Sequence, residues 1–192
     1  MSELLLASGS PRRHELLSML GIPHRVVVPA LDETRESGEP PDTYVVRLAR
    51  AKAQAVARHD PEALVLGADT TVVLAGEVLG KPETPADAAE MLAKLSGRTH
   101  QVFTGVAVAR GARVEHALDV TDVTVRPLEP AAIRAYVDTG EPMDKAGAYA
   151  IQGRGAVLIE GIRGDFFGVM GLPVRLVVDL LARFGVPYRF TR

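Results

Sequence analysis

The chain predicts an α/β fold: a central, twisted, mixed sheet flanked by helices, in a single domain of 192 residues folded as two lobes about a cleft. Three observations carry this. Short apolar runs of strand length alternate with longer stretches of helical periodicity. The runs at 72–74 and 77–79 flank Ala75-Gly76, a hairpin signature that a purely parallel sheet does not contain. Apolar residues make up 47% of the chain, enough to build a sizeable core and to exclude disorder.

The elements follow in order. Residues 4–6, all leucine, read as a short buried strand, Ser10 as an N-cap, and Pro11 as the first helical residue. Leu16, Leu17 and Leu20 give the helix at 11–20 one apolar face, closed by Gly21. A second strand is expected at 25–28, then a polar, Pro- and Glu-rich loop over 29–42, long enough to suggest a functional role. A helix over 42–59 and a short apolar strand over 63–67 come next, followed by the hairpin. Thr84-Pro85 starts a helix with Ala88, Met91, Leu92 and Leu95 inward and Gly97 just past its end. Strands are expected at 101–109, 114–118 and 120–125, a helix at 130–138, and a Gly-rich charged loop at 139–155. A strand at 157–162 and a helix at 174–184 close the chain.

Charge is nearly balanced, 22 Lys and Arg against 24 Asp and Glu, so no global field draws the protein onto nucleic acid or membrane. The absence of cysteine removes disulfides, thiol nucleophiles and cysteine metal sites. With no signal-peptide pattern and no bilayer-length apolar run, a cytoplasmic protein is expected. The five histidines lack metal-ligand spacing and read as structural or surface residues.

Four places carry candidate chemistry. The segment Ala7-Ser8-Gly9-Ser10-Pro11-Arg12-Arg13 puts two arginines at the positive pole of a helix, where each costs about a few tenths of a kcal/mol, so an anion is expected there. Strand, Ser/Gly loop and helix start together suit phosphate, although no Gly-Lys-Ser/Thr ending makes this a P-loop. An ordinary Ser-Pro helix start with two solvated arginines fits the same spacing. Lys52 falls in the middle of the stripe Val45, Leu48, Ala49, Val56. It either snorkels to solvent, forms a structural ion pair, or reaches into a cleft. Asp69 follows the strand at 63–67 as a corner residue, either a turn former or a carboxylate at a ligand crevice. Lys81 stands between Gly80 and Pro82, which restrict where its ammonium can point; an exposed turn lysine is the alternative.

The segment ASGSPRR followed by ELL resembles the start of the Maf family of nucleoside triphosphate pyrophosphatases, and the resemblance runs nearly the whole chain. It continues through Leu31-Asp32-Glu33, Arg47-Leu48-Ala49-Arg50-Ala51-Lys52-Ala53, Gly67-Ala68-Asp69-Thr70 and Leu79-Gly80-Lys81-Pro82, then Gly140-Glu141-Pro142-Met143-Asp144-Lys145-Ala146-Gly147-Ala148-Tyr149 and Ile151-Gln152-Gly153. The resemblance implies a Maf/ITPase-like fold about a substrate cleft, with hydrolysis between the α- and β-phosphates of a nucleoside triphosphate. It implies Asp69, Lys81 and Lys52 as catalytic residues and Glu33 with Asp69 as ligands of a divalent cation, Mg²⁺ or Mn²⁺. It implies Ser8, Ser10, Arg12, Arg13, Thr70, Asp144, Lys145 and Gln152 as substrate-binding residues. Residues matching Arg12, Thr70 and Gln152 are associated with the branch acting on dTTP and UTP, and a glutamine amide suits the donor–acceptor edge of uracil or thymine. The implied partner is the nucleotide, with neither nucleic acid nor membrane, and a homodimer is a candidate assembly. A non-hydrolysing nucleotide-binding regulator of cell division is the alternative, against which the acidic pair speaks. Ala150, where the family pattern has glycine, and Phe166-Phe167, where a tyrosine usually follows Gly-Asp, are its small departures.

Overall fold

The computed structural model describes residues 4–190 and has the expected mixed α/β architecture. A seven-stranded sheet runs in the order β2-β1-β3-β5-β6-β7, with β4 paired to β3. The chain divides into two compact units: Met1–Asp69 with Thr104–Asp119 and Gly171–Arg192, and Thr70–Phe103 with Val120–Met170.

In the first unit, β1 (Leu4–Ala7) pairs in parallel with β2 (His24–Val26) on one side and the start of β3 (Leu64–Leu74) on the other, Leu5 lying opposite both Arg25 and Val65. Every residue of β1 is buried, as a strand with neighbours on both edges and cover on its faces requires. Helix α1 (Pro11–Met19) buries Leu16 and Leu17, and α6 (Val174–Arg183) buries Val177, Leu180 and Leu181, an i, i+3, i+4 stripe. Helix α2 (Pro41–Ala57) lays Ala49 and Ala53 over β1 and β3, in a core that also holds Leu5, Val65 and Ala107. The small side chains bring helix and strand close: a Cβ on Gly67 would lie 2.3 Å from the Ala49 carbonyl oxygen and 2.8 Å from the Ala53 nitrogen. Both are backbone atoms and cannot swing aside.

In the second unit, β3 turns into β4 (Glu77–Leu79) with Val72 opposite Leu79. Helix α3 (Pro85–Leu95) opens with a complete capping box, in which the Asp87 N–H donates to Thr84 Oγ1 (3.1 Å) and the Thr84 N–H to Asp87 Oδ2 (2.9 Å). Strands β5 (Thr99–Arg110) and β6 (Arg113–Val125) follow, then α4 (Pro130–Val137), β7 (Ile159–Arg163) antiparallel to β6, and α5 (Phe166–Met170). Leu92, Leu95, Val123, Tyr136, Tyr149 and Leu158 share one core.

The structure corrects several expected boundaries. The strand expected at 63–67 runs on to Leu74, so Asp69 lies inside β3 rather than at a corner. Gly67-Ala68 marks the close approach of α2, and the β-branched run Thr70-Thr71-Val72-Val73 continues the ladder. The strands expected at 114–118 and 120–125 are one, β6. The expected strand at 25–28 is His24–Val26, and that at 157–162 begins only at Ile159, because residues 153–158 form a 3₁₀ helix. The loop expected at 139–155 contains short 3₁₀ turns. Helix α5 was not expected; the Asp165 carboxylate starts it by accepting from the N–H groups of Phe167 (2.9 Å) and Gly168 (3.1 Å).

His100, a structural residue as expected, is 2% exposed and makes a 2.7 Å hydrogen bond through Nε2 to the Tyr149 hydroxyl. Burial pushes its pKa down to about 4. The unfolded chain therefore takes up a proton near pH 6.5 that the folded protein refuses until about pH 4, and stability is lost as pH falls through that window, by up to about 3 kcal/mol. Urea unfolding at pH 7 and pH 4.5 is expected to show a smaller loss for His100→Gln than for the parent; an equal loss would remove His100 as the cause.

Candidate active site

In the first unit, Lys52 is 6% exposed on the inward face of α2, which rules out snorkelling. Its Nζ donates to Asp69 Oδ1 (2.8 Å) on β3 and to Glu33 Oε2 (2.7 Å) in the loop before α2. One ammonium thus gathers two carboxylates that are 36 residues apart in sequence. Asp69 is 8% exposed; burial pushes its carboxyl above the ordinary range, against the opposing charges of Lys52 and Arg13. Glu33 is half exposed at its side chain. Asp69 Oδ2 and Glu33 Oε1 make no hydrogen bond among the described residues, so each carboxylate keeps one oxygen for another partner.

This donor set suits a hard divalent cation. It is all oxygen, it is anionic, and its two carboxylates already converge on one positive charge. Two carboxylates are what such an ion takes from a protein when phosphate oxygens and water complete its shell.

The Ser/Gly loop is built differently from the expected pair of arginines. Arg13 is 8% exposed; its Nε donates to the Gly171 carbonyl (2.8 Å) and its Nη1 to Ser8 Oγ (3.0 Å). Ser8 Oγ also accepts from the Ser10 N–H at 3.2 Å. Ser10 occupies the N-cap position, but its side chain accepts no helix N–H. Arg13 therefore braces the loop from inside and adds positive potential to Asp69, while Arg12, half-buried, is the more accessible guanidinium.

The loop that carries Glu33 is held by residues that sequence reasoning did not single out. The Tyr44 hydroxyl donates to the Glu33 carbonyl (3.0 Å), and Arg47 grips the Glu39 carboxylate through Nε (2.7 Å) and Nη2 (2.8 Å) while donating to the Thr34 carbonyl (3.2 Å). Glu39 is 7% exposed in a segment that reads as solvated loop. Only the periodic placement of Tyr44 and Arg47, off the apolar stripe but on adjoining faces of α2, offered a signal.

In the second unit, Thr70 follows Asp69 on β3 and is half-buried. Lys81 is exposed beyond β4. The Gly147 N–H donates to the Gly80 carbonyl (3.0 Å), which sets the Lys81 turn against the turn at 145–148. Lys145 donates through Nζ to the Glu141 carbonyl (2.7 Å) and pairs with Asp144. Gln152 is half-buried, and its side chain makes no hydrogen bond among the described residues.

A family profile described as Maf-like protein matches residues 3–184. The chain belongs to that family. Among the relatives of this Maf-like chain is a dTTP/UTP pyrophosphatase of Moorella thermoacetica, 58% identical over 190 residues, 97% of each chain. Another, from Symbiobacterium thermophilum and of the same name, is 54% identical over 187 residues, covering 97% of this chain and 96% of the other. A third, from Salmonella typhimurium, is 54% identical over 185 residues, 96% and 94% of the two chains. The solved structure of the Staphylococcus aureus Ham1 protein matches the fold with a TM-score of 0.51 at 15% identity, covering 95% of the Maf-like chain and 97% of the other.

Proposed function

We propose that the chain hydrolyses dTTP and UTP between the α- and β-phosphates, releasing the nucleoside monophosphate and pyrophosphate. One observation carries the reading: a chain 58% identical to a dTTP/UTP pyrophosphatase over 97% of its length joins the buried Lys52 and Asp69 with the half-exposed Glu33 in a single cluster. The acidic pair suits hydrolysis; a protein that merely bound nucleotide would need cations but not two carboxylates.

Lys52 holds Oδ1 of Asp69, which leaves Oδ2 as the basic atom. Burial raises the basicity of that carboxylate toward neutral operating pH. Asp69 Oδ2 takes the proton of a water as its oxygen attacks the α-phosphorus; the bond to the bridging oxygen breaks, and pyrophosphate leaves with the electron pair. Glu33 and Asp69 would hold a divalent cation, which when bound would neutralise charge at phosphate and acidify water. Arg12, with Ser8 and Ser10 on the braced loop, binds phosphate oxygens, and Arg13 fixes that loop. Lys81 and Lys145 add positive charge, and Thr70, Asp144 and Gln152 bind the nucleoside, Gln152 at the pyrimidine edge.

Hydrolysis in ¹⁸O-labelled water is expected to place the label in the monophosphate, with orthophosphate detected only after pyrophosphatase is added. Label in free orthophosphate without that enzyme would mean attack at the γ-phosphorus. In competition assays dTTP and UTP are expected to be turned over ahead of GTP and 7-methyl-GTP, by a kcat/KM ratio on the order of ten or more, the value of one buried hydrogen bond.

A further inference from the structure

The second unit contains a partly buried polar node for which the mechanism above has no use. Glu141 sits at the start of a 3₁₀ turn after α4. Its Oε1 accepts from the Gly155 N–H (2.8 Å) and the Tyr136 hydroxyl (2.9 Å), and its Oε2 accepts from the Arg154 N–H (3.1 Å). The Tyr136 oxygen in turn accepts from the Ala150 N–H at 3.1 Å. The backbone on either side of Gln152 is therefore pinned: Ala150 to the tyrosine, Arg154 and Gly155 to the carboxylate.

Packing makes the arrangement close-fitting. A Cβ on Gly155 would lie 2.6 Å from the Tyr136 oxygen and 2.3 Å from the Ala150 carbonyl oxygen, so only glycine lets the turn wrap this tightly. Tyr136 is 6% exposed and Ala150 5%, which keeps water from replacing either bond. Desolvation disfavours the Glu141 anion, but the N–H groups of Gly155 and Arg154 and the Tyr136 hydroxyl outweigh it and hold its carboxyl below the ordinary range. The ionised form is the one the turn is built around. The backbone carbonyl of Glu141 also receives the Lys145 ammonium, so the node touches both segments that carry expected nucleoside-binding residues.

We infer that Glu141 and Tyr136 are positioning residues for base discrimination, holding the turn at 150–155 so that Gln152 meets a pyrimidine in one fixed register. The inference rests on the assignment of Gln152 to the base. Among the described residues neither makes a hydrogen bond or ion pair with Lys52, Asp69 or Glu33, so loss of the node should change how substrate is selected rather than how fast it reacts once bound. In Glu141→Gln one oxygen becomes an NH₂ group, which sets a donor against the Arg154 N–H and frees that end of the turn.

The test is steady-state kinetics of Glu141→Gln, Gln152→Ala and the double variant with dTTP, UTP and GTP, each protein checked first by thermal unfolding. For Glu141→Gln the expected result is a KM for dTTP and UTP raised about tenfold, kcat within about twofold of the parent, and a preference over GTP that falls by a similar factor, the pattern of lost binding rather than lost chemistry. In the Gln152→Ala background the same change is expected to add less than about twofold, because the group it positions is gone. An undiminished effect there, or unchanged selectivity in Glu141→Gln while Gln152→Ala loses it, would overturn the positioning role and leave the base assignment standing. Unchanged selectivity in Gln152→Ala would overturn the base assignment and the inference with it. Tyr136→Phe, which removes a single oxygen, carries the same comparison should Glu141→Gln fail to fold.

Discussion

Asp69→Asn is expected to fold like the parent and to lose at least about a hundredfold in kcat, the lower range for removal of a positioned general base. Asparagine is nearly isosteric, and its amide oxygen can still accept from Lys52 Nζ, so α2 and β3 keep their approach. What disappears is the anionic charge of the carboxylate and with it the oxygen that would take the proton of water. Nucleotide binding should persist, since the cations of Ser8–Arg13 and Lys52 lose one opposing charge. The checks are single-turnover rates with saturating enzyme and calorimetric affinity for dTTP. Near-parental turnover would remove Asp69 from the chemistry.

Lys52→Met is expected to damage stability as well as rate. Methionine fills the volume and continues the apolar stripe of Val45, Leu48, Ala49 and Val56, but it leaves the Asp69 carboxylate buried without its nearest countercharge. Breaking a buried pair from one side costs about 3–5 kcal/mol. The sign of the pH dependence follows. With the ammonium gone, the folded-state pKa of Asp69 rises further above its unfolded value, so the folded protein binds the extra proton and stability falls as pH rises. The deficit relative to the parent should therefore be larger at pH 8 than at pH 5, as read by urea unfolding at both. Parental stability at pH 8 would mean that Lys52 and Asp69 do not pair in solution. Turnover is expected to fall at least as far as in Asp69→Asn, because both carboxylates and the phosphate lose one shared cation.

Most of the elements, the mixed sheet and the oddity of Lys52 were legible in the chain, because periodicity reports which side of an element is buried; the short α5 and the continuity of β6 were not. A lysine in the middle of an apolar stripe has to find a negative partner, whatever the fold around it. Which partners it finds is a tertiary matter. Glu33 lies in a loop with no periodicity at all, and it reaches Lys52 only because Tyr44 and Arg47 tie that loop to α2. Asp69 looked like a corner residue because Gly67-Ala68 reads as a break, whereas those small side chains exist to admit the backbone of α2. Arg13 looked as exposed as Arg12, its neighbour in sequence, until the fold brought the Gly171 carbonyl to it from 158 residues away. Local patterning determined the strands, the helices and the one buried cation of α2, since these depend on spacing within a few turns of chain. Only the tertiary structure decided which arginine is internal, which carboxylates share the lysine, and that Glu141 braces the turn of Gln152, since each of these depends on where distant backbone donors and acceptors come to rest.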